Sequence, residues 1–372
     1  MKNAPKRPNI FRVLRDSVLI LMNLAVVILL LLSAKMSVLS PERSVLSSYP
    51  NYAFLPLAFI NLFFVFYWAL RKSVWFLMSL LSLLLCLPEQ KAWFPVKLIK
   101  EQKKEDKTIK VLTYNTMQFS SYRSHVKQDP NPVIRYLQES EADVLCLQEA
   151  GYSFDKQLLE KTTVITALKD YPYHSLEIIQ SNKYRTSNLW IFSKYPILKS
   201  GRLAYKSRSN ASHYCDIKIG QDTLRFINNH LESNKLTKED MALYKIIVEN
   251  PDRDNISQVA EKLGRKLGQA ARLRAPQAET IAGFIRETPY KLVVCGDFND
   301  IPASYTYRCI KKGLRDAWSQ NGRGLGITFH EKFYLFRIDY ILHSPELRSY
   351  GTKVDHVRYS DHYPVWTYLE LP

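Results

Sequence analysis

Polar and ionisable side chains stand at or just beyond the ends of short apolar runs in the C-terminal two thirds of the chain. They are two carboxamides, two histidines and four carboxylates: Asn115, Asn299, His230, His362, Glu149, Asp297, Asp339 and Asp361. Taken singly, most have an ordinary interpretation, because a polar residue after a strand usually closes a turn or caps a helix. Asp339 differs, since Ile338 and Tyr340 flank it and a carboxylate buried among apolar residues needs a partner, for which a histidine is suited.

Gathered at one place, these residue types are suited to cleaving a phosphoester. Ligand sites of sheet proteins form outside the ends of strands. A carboxylate such as Glu149 binds Mg²⁺, which prefers oxygen ligands, and a neutral donor such as Asn299 stabilises the charge that develops on the phosphoryl group. A carboxylate, or a histidine supported by an aspartate, takes the proton from the attacking water.

Seven short runs rich in Val, Ile, Leu and aromatic residues are predicted to be the strands that position these side chains. They cover residues 109–114, 142–147, 189–193, 223–228, 291–296, 337–342 and 365–371. Helices are predicted over 132–140, 155–168 and 238–286. The longest is expected to break near 250–254, and Gly264, Gly268 and Pro276 suggest that its second part is two helices. The pattern indicates an α/β domain.

The order of the motifs resembles that of the endonuclease/exonuclease/phosphatase superfamily over residues 109–370. The motifs are TYN ending at Asn115, QE ending at Glu149, NHL around His230, GDFN with Asp297 and Asn299, RIDYIL with Asp339, and SDH with Asp361 and His362. The resemblance implies a DNase I-like fold, a four-layered α/β sandwich with two central mixed β-sheets. It also implies phosphoester cleavage that depends on Mg²⁺, with Mn²⁺ as the alternative ion.

The resemblance assigns the metal site to three residues. Glu149 would be the main ligand, Asn115 would contact metal-bound water or the phosphate, and Asp361 would support the site. Met117 stands where some relatives carry a second acidic residue, which leaves open whether one or two metals bind.

The resemblance also implies roles in catalysis. Asp297 would orient or deprotonate the attacking water, and Asn299 would contact the phosphate. His362 would pair with Asp339 and act either as the base or as a phosphate clamp. His230 would contact the phosphate or the leaving group.

Three further polar residues are candidates for contact with substrate. Asn188 precedes the strand-like run at 189–193 and is expected to face the site and bind substrate. Arg274 and Gln277 lie in the long helical stretch before GDFN. They either face substrate or form a solvated helix face, and the second interpretation is favoured because surface charge on helices is ordinary.

The N-terminal third has the pattern of a membrane anchor. A basic leader precedes apolar runs at 18–32, 53–70 and 74–87. A span needs about 20 mostly apolar residues, so the third run is short and is either a span or a re-entrant segment. A cleaved signal peptide is the alternative for the first run, but no clean cleavage site follows it. The predicted organisation is therefore an anchor of two or three transmembrane helices at 1–87, a charged linker at 88–107 and a hydrolase domain at 108–372.

The distribution of basic residues gives conflicting indications of topology. The basic leader favours a cytoplasmic N-terminus, and three spans then place the hydrolase domain on the non-cytoplasmic side. Six lysines between 91 and 107 would fall outside, which that rule does not favour. The expectation is a multi-pass protein of the cell membrane with an external domain.

The composition narrows the function classes. With 372 residues, 46% hydrophobic and 5 cysteines, the chain is neither disordered nor a disulfide scaffold. Of the net charge of +17, residues 1–107 carry +9, so over half of the excess belongs to the membrane-flanking part. The expected partners are the bilayer and a phosphoester, either a lipid head group or a nucleic acid, with no obligate protein partner. A nuclease and a catalytically silent membrane scaffold are the alternatives.

Overall fold

The N-terminal part of the chain forms a bundle of four helices in the computed structural model, which describes residues 10–96, 108–237, 239–240, 253–331 and 334–372. The helices are α1 (Ile10–Lys35), α2 (Phe54–Leu70), α3 (Phe76–Leu85) and α4 (Leu87–Trp93). By length and composition, two helical stretches are able to cross a membrane: Ile10–Val38, with a mean hydropathy of 2.7, and Val45–Leu70, with 2.0. Helix α3 has only 10 residues, fewer than the roughly 17 that a span requires.

The two long helices carry apolar side chains outwards and polar ones inwards. Leu21, Leu29, Phe63 and Phe66 are all more than half exposed. Inside the bundle, Ser79 Oγ donates to Asn23 Oδ1 at 2.6 Å, and Asn61 Nδ2 donates to the Leu57 carbonyl at 3.0 Å. A core helix of a soluble protein has the opposite distribution, whereas helices in lipid use buried polar groups to associate.

Residues 108–372 form two six-stranded mixed sheets and a hairpin. The first sheet has the order β13-β14-β1-β2-β4-β3 and the second β5-β6-β7-β8-β12-β9. The strands of the first are β1 (Thr108–Asn115), β2 (Val144–Gln148), β3 (Tyr173–Ser181), β4 (Thr186–Ser193), β13 (Arg348–Val354) and β14 (Val365–Glu370). Those of the second are β5 (Ile197–Arg202), β6 (Ala211–Ile219), β7 (Asp222–His230), β8 (Lys291–Asp297), β9 (Arg315–Asp316) and β12 (Asp339–His343). The hairpin pairs β10 (Phe329–Glu331) with β11 (Tyr334–Phe336).

The sheets pack face to face, and helices cover their outer faces. Val111, Val144, Cys146, Phe226, Val293 and Cys295 belong to the core between the sheets. Helices α5 (Pro132–Glu139) and α6 (Lys161–Ala167) pack on the first sheet. Helices α7 (Arg253–Glu287) and α8 (Tyr305–Lys311) pack on the second, and α9 (Ala317–Asn321) lies beside β13. The predicted four-layered sandwich is confirmed.

Each sheet contains one parallel pair of strands, and these pairs set the position of the polar residues. Strands β1 and β2 are parallel, with Asn115 opposite Gln148. Strands β7 and β8 are parallel, with His230 opposite Asp297. The carboxyl ends of parallel strands lie at the same edge, so all these side chains gather at one end of the sandwich. Strand β12 runs antiparallel to β8 and begins there, with Asp339 opposite Asp297.

All seven predicted strands are present, whereas the edge strands β3, β5, β9 and β13, the hairpin strands β10 and β11 and the largely buried β6 were missed. Strands β3, β5 and β13 have mixed exposed and buried positions without a long apolar run. Such strands give a weak periodic signal, because one or both of their faces meet solvent. The helix predicted over 155–168 is shorter than expected and begins at Lys161.

The long helical stretch gives a correction. From Arg253 to Glu287 it is one helix of 35 residues, with Pro276 inside it, and most of the predicted break at 250–254 lies outside the described residues. Neither glycine breaks the helix. Gly268 allows close packing, because a side chain there would collide with the Tyr49 hydroxyl. The backbone carbonyl of Gly264 accepts from that hydroxyl at 3.0 Å, although a side chain at this position would meet open space.

The predicted linker begins with structure. Residues 87–93 form α4, in which Glu89 is only 3% exposed and accepts from Arg308 Nη1 at 2.8 Å. The carbonyl of Ala92 accepts from Arg337 Nη2 at 2.6 Å. This part of the linker is ordered because a buried carboxylate there has a cationic partner in the hydrolase domain. Residues 97–107 lie outside the described part of the chain.

Candidate active site

One oxygen atom, Asp297 Oδ2, lies at the centre of the polar residues at the sheet edge. Asn115 Nδ2 donates to it at 3.2 Å and Asn299 Nδ2 at 3.1 Å. The Nε2 atoms of His230 and His362 both lie 3.8 Å from it. Asp297 is buried, and burial raises its pKa to about 6 against the lowering effect of His362.

The buried Asp339 has the histidine partner that the sequence predicts. His362 Nδ1 lies 2.8 Å from Asp339 Oδ2, and both side chains are buried. Burial opposes the charged imidazolium, but the carboxylates of Asp339 and Asp297 outweigh it and hold the pKa of His362 well above its ordinary value. The Nε2 atom of His362 faces Asp297.

Glu149 is the carboxylate of this group that reaches solvent. Its side chain is 32% exposed, and Oε1 lies 3.6 Å from His230 Nε2 and 3.3 Å from Asn115 Nδ2. Its backbone has a φ of +46°, an unusual value for a residue other than glycine. The carbonyl of Glu149 accepts from the amide of Gln118 at 2.8 Å and from Thr116 Oγ1 at 2.9 Å, and these bonds hold the strained conformation.

A rare left-handed turn forms the wall beside Glu149. Six consecutive residues, Met117–Tyr122, have φ between +45° and +62°, although L-residues lose roughly 1–2 kcal/mol each in this region. Asn131 Nδ2 donates to the Phe119 carbonyl at 2.8 Å, and the Tyr122 hydroxyl donates to Thr186 O at 2.9 Å. Backbone strain that is maintained by many contacts is typical of functional sites. Met117, which marked a departure from the family pattern, begins this turn.

The remaining predicted residues divide into two groups. Asn299 and Asp361 reach the site: Asn299 adopts a left-handed φ of +52°, which asparagine tolerates, and Asp361 lines the same pocket as Glu149. Asn188 does not line either cavity described below. Its amide is buried and donates to Ala150 O at 2.9 Å and to Thr186 Oγ1 at 2.8 Å, so it holds the segment that follows Glu149.

The favoured prediction that Arg274 and Gln277 form a solvated helix face is wrong. Arg274 is fully buried and bonds Asp300 Oδ2, the Glu232 carbonyl and Asn234 Oδ1. Gln277 Oε1 accepts from the amide of Glu232 at 3.0 Å. Both residues hold the loops that follow His230 and Asp297, because these loops bring backbone groups inwards that need partners.

Two cavities meet at Glu149, His230 and Ser233. The larger, here called the polar cleft, has a volume of about 880 Å³. Its lining includes Gln118, Tyr122, Asn182, Arg185, Ser187 and Asn210. The smaller, here called the apolar pocket, has a volume of about 230 Å³. It joins Asp297, Asn299, Asp361 and His362 to Tyr52, Leu236, Leu267, Ile301, Phe329, Phe336 and Ile338.

Sequence reasoning missed most of these wall residues. The segment 180–187 carries several polar residues between two strands, and this was the one local signal of a polar cleft. Tyr52 has no signal, because it lies in the N-terminal part and reaches the pocket only through the tertiary fold.

The donor atoms at the edge fit a divalent cation. Glu149 offers an exposed carboxylate, with Asn115 beside it and Asp361 on the pocket wall, and carboxylate and carboxamide oxygens suit Mg²⁺ or Mn²⁺. A second acidic group, Asp297, Asp339 and His362, has ligand atoms within 4.8 Å of one another. There, however, His362 Nδ1 is already engaged in a 2.8 Å hydrogen bond with Asp339, so we describe that trio as an Asp–His pair facing Asp297.

Comparison with known proteins agrees with this geometry. The profile of the Endonuclease/Exonuclease/phosphatase family matches residues 112–362. A second profile, described as a domain of unknown function (DUF8431), matches residues 16–93. The chain therefore belongs to the endonuclease/exonuclease/phosphatase family, and it is a hydrolase that acts on phosphoester bonds. No curated protein sequence matches the chain.

One solved structure with a TM-score of 0.50 shares the fold at low sequence identity, and two further similar structures have lower scores. An endonuclease/exonuclease/phosphatase from Beutenbergia cavernae DSM 12333 has a TM-score of 0.50 and 15% identity, covering 71% of this chain and 72% of its own. A family protein from Leptotrichia buccalis C-1013-b has a TM-score of 0.47 and 15% identity, with coverages of 71% and 100%. TDP2 from C. elegans has a TM-score of 0.46 and 14% identity, with coverages of 72% and 77%.

Proposed function

We propose that the protein is a membrane-anchored, Mg²⁺-dependent phosphodiesterase or phosphatase. The observation that carries the proposal is the convergence of Asn115, Asn299, His230 and His362 on Asp297 Oδ2, next to the exposed carboxylate of Glu149. Glu149, with Asn115 and Asp361, would hold the cation. In such sites Mg²⁺ supplies Lewis-acid polarisation of a phosphoryl oxygen.

The protonation states suggest how the residues divide the work. With a pKa of about 6, Asp297 is ionised at neutral pH and accepts the proton of the attacking water. His362, whose pKa is held high by Asp339 and Asp297 against the opposing effect of burial, keeps its proton and donates to a phosphoryl oxygen. This favours the clamp over the base for His362. His230 lies on the Glu149 side and would contact the leaving group.

The charge of the polar cleft favours a small anionic substrate over a nucleic acid. Among the described residues that line the cleft, Arg185 is the one arginine and there is no lysine. A nuclease groove neutralises several successive phosphates and uses a row of such cations. The scaffold alternative is disfavoured because the full set of catalytic side chains is present and mutually bonded.

The packing of the anchor supports an external hydrolase domain. At one end of the bundle, Arg71 Nη1 of the segment after α2 pairs with Asp16 of α1 at 2.7 Å, and Arg12, Arg15 and Lys72 lie near that end in the sequence. At the other end, Ala34 and Phe54 share a core with Ile301 of the hydrolase domain. Basic ends of spans favour the cytoplasm, so the catalytic domain would lie outside. Because α3 alone is too short to span, α3 and α4 together would then carry the chain back across the bilayer. A reporter fused to the C-terminus tests this topology, and cytoplasmic reporter activity would contradict it.

Turnover of a generic substrate tests the proposed chemistry. The full chain in detergent is expected to hydrolyse 4-nitrophenyl phosphoesters, to lose that activity with EDTA and to regain it with Mg²⁺. Glu149→Ala and His362→Ala are expected to abolish turnover, whereas Glu346→Ala, at an exposed position of another loop, serves as the matched control. Equal rates in all four proteins, or a rate that ignores EDTA, would refute the proposal. If no turnover is seen, titration calorimetry with Mg²⁺ distinguishes two explanations. An inactive scaffold is expected to bind no Mg²⁺, whereas an enzyme that was given the wrong ester is expected to bind it.

A further inference from the structure

The apolar pocket is an unusual extension of a phosphoester site. One end consists of Asp297, Asn299 and His362, and the other of Leu267, Ile301 and Phe336. Phosphate and water need polar surroundings, and an apolar wall contributes binding only if an apolar part of the ligand covers it. The pocket is therefore shaped for a ligand with a charged group next to a hydrocarbon.

Part of the apolar wall comes from outside the hydrolase domain. Tyr52, which lies two residues before α2, lines the pocket and contacts Phe336, with ring centroids 6.2 Å apart and planes at 79°. Its neighbour Tyr49 donates from its hydroxyl to the Gly264 carbonyl at 3.0 Å, and Gly268 leaves room for that ring. The segment that carries Tyr52 is thus fixed on α7.

The apolar pocket continues to the surface. A shallow groove of about 670 Å³ lies between α7 and the segment before α2, and it shares Tyr52 and Leu267 with the pocket. Tyr49, Ala260 and Leu263 belong to its lining, together with the exposed ion pair of Glu261 and Arg265. Leu267 is half-buried and stands at the junction of the two. A chain that leaves the catalytic end would pass Leu267 and emerge beside Tyr49.

The exit of this groove lies next to the candidate membrane spans. Tyr49 and Tyr52 belong to the stretch Val45–Leu70, which is long and apolar enough to cross a membrane, at the end that packs against the hydrolase domain. A hydrocarbon that emerges there meets the hydrocarbon of the bilayer, so a substrate chain need not enter water.

We infer that the site takes a bilayer lipid phosphoester, with its phosphate at Glu149 and Asp297 and its apolar chain between Tyr52 and Leu267. The inference rests on the proposed phosphoester hydrolysis and names the substrate class of that site. The polar cleft, on the other side of Glu149, receives the head group.

Two substrates that differ only in chain length test this assignment. The full protein in phosphatidylcholine vesicles is given 4-nitrophenyl methyl phosphate or 4-nitrophenyl hexadecyl phosphate. Leu267→Trp narrows the junction, and Leu273→Trp, at an exposed position on the same helix, is the matched control. We expect Leu267→Trp to lower kcat/KM for the hexadecyl ester about tenfold or more relative to the methyl ester, because pocket contacts of a methylene or two have effects of that size. The partition of each ester into the vesicle is the same for both variants, so it cannot cause a difference in kcat/KM between them.

Labelling makes the result independent of turnover. A hexadecyl phosphate with a photoreactive group on the chain is added to the same vesicles with the wild type and with His362→Ala. We expect residues 267–272 to be labelled in the wild type and in His362→Ala. We expect this labelling to be lost in Leu267→Trp but kept in Leu273→Trp. That result would support the inference even if neither ester is cleaved. The inference would be overturned if residues 267–272 of the wild type were not labelled. It would also be overturned if Leu267→Trp lowered kcat/KM by the same factor for the methyl and the hexadecyl ester.

Discussion

The two cavities on either side of Glu149 differ in chemistry although they share the same catalytic neighbours. The polar cleft is wide and is walled by amides, hydroxyls and Arg185. The apolar pocket is about a quarter as large and has aliphatic and aromatic side chains facing the shared catalytic groups. The first is built by the strained turn at Met117–Tyr122 and the strands next to it. The second includes Tyr52, from the segment before α2. The comparison teaches that one catalytic centre is enclosed by two parts of the chain, the catalytic domain and the N-terminal helical part.

The largest effect is expected where the two cavities meet. Glu149→Ala removes the proposed cation ligand and should lower kcat/KM about 10³-fold or more for both the methyl and the hexadecyl ester, since loss of Lewis-acid stabilisation costs several kcal/mol. Steady-state kinetics on the two esters measure this. A fall in kcat/KM for only one of the two esters would show that Glu149 acts on substrate in only one of the cavities, and the two cavities would then not share one catalytic centre.

The next effect concerns the charge of His362. In Asp339→Asn, burial still lowers the pKa of His362 while its main carboxylate partner is gone, so the pKa falls from its raised value. The protonated form is then lost as pH rises, and the activity of the variant should fall further behind the wild type at pH 8 than at pH 6, by about 10²-fold at the higher pH.

Full pH–rate profiles of both esters check this prediction, with Asp222→Asn, at the far end of β7, as the control. A loss that is the same at every pH would mean that Asp339 only positions the ring.

A smaller effect should separate the two cavities. Arg185 is exposed and stacks over the Tyr122 ring at 5.3 Å in the polar cleft. Arg185→Gln should lower kcat/KM about fivefold for a phosphodiester whose leaving group bears a second phosphate, because an exposed ion contact contributes about 1 kcal/mol. 4-Nitrophenyl methyl phosphate should be unaffected, and Lys183→Gln on the same loop provides the control. An equal fall in kcat/KM for 4-nitrophenyl methyl phosphate, whose leaving group bears no second phosphate, would contradict the proposal that the polar cleft binds the head group.

The smallest effect tests the strain of the polar wall. Ser121 has a φ of +60° and an exposed side chain, so Ser121→Gly should raise the free energy of unfolding by roughly 1 kcal/mol, since glycine adopts this region without penalty. Ser200→Gly in β5, an extended position, should be neutral or destabilising. Thermal unfolding midpoints of the two variants measure the difference. A fall in stability for Ser121→Gly would remove the case for a strained wall.

Strand ends made much of the site predictable. The apolar runs located β1, β7 and β8, and the rule that parallel strands share an edge places Asn115, His230 and Asp297 together. The cost of burying a carboxylate predicted that Asp339 has a partner, for which a histidine is suited. The family resemblance identified that partner as His362, and the observed contact agrees with it.

The walls of the site could not be predicted in the same way. Six left-handed residues in a row have no marker in the sequence, because none is glycine and the conformation depends on bonds from Asn131 and Thr186. The burial of Arg274 depends on loops far away in the sequence. Gly264 and Gly268 were interpreted as helix breakers, whereas the helix continues through both and Gly268 leaves room for Tyr49.

The two family profiles divide the chain between residues 93 and 112, but the packing does not divide there. Leu30 and Trp93 share one core with Ile301 and Ala303, which follow GDFN, and the buried Glu89 pairs with Arg308. The N-terminal helical part and the catalytic domain are consequently not interchangeable modules. A chimaera that joined this catalytic domain to an unrelated N-terminal part would leave Arg308 without Glu89. It would also remove the residues that pack against Ile301 and Ala303 in the loop after Asn299. The two parts are therefore expected to be inherited and altered together.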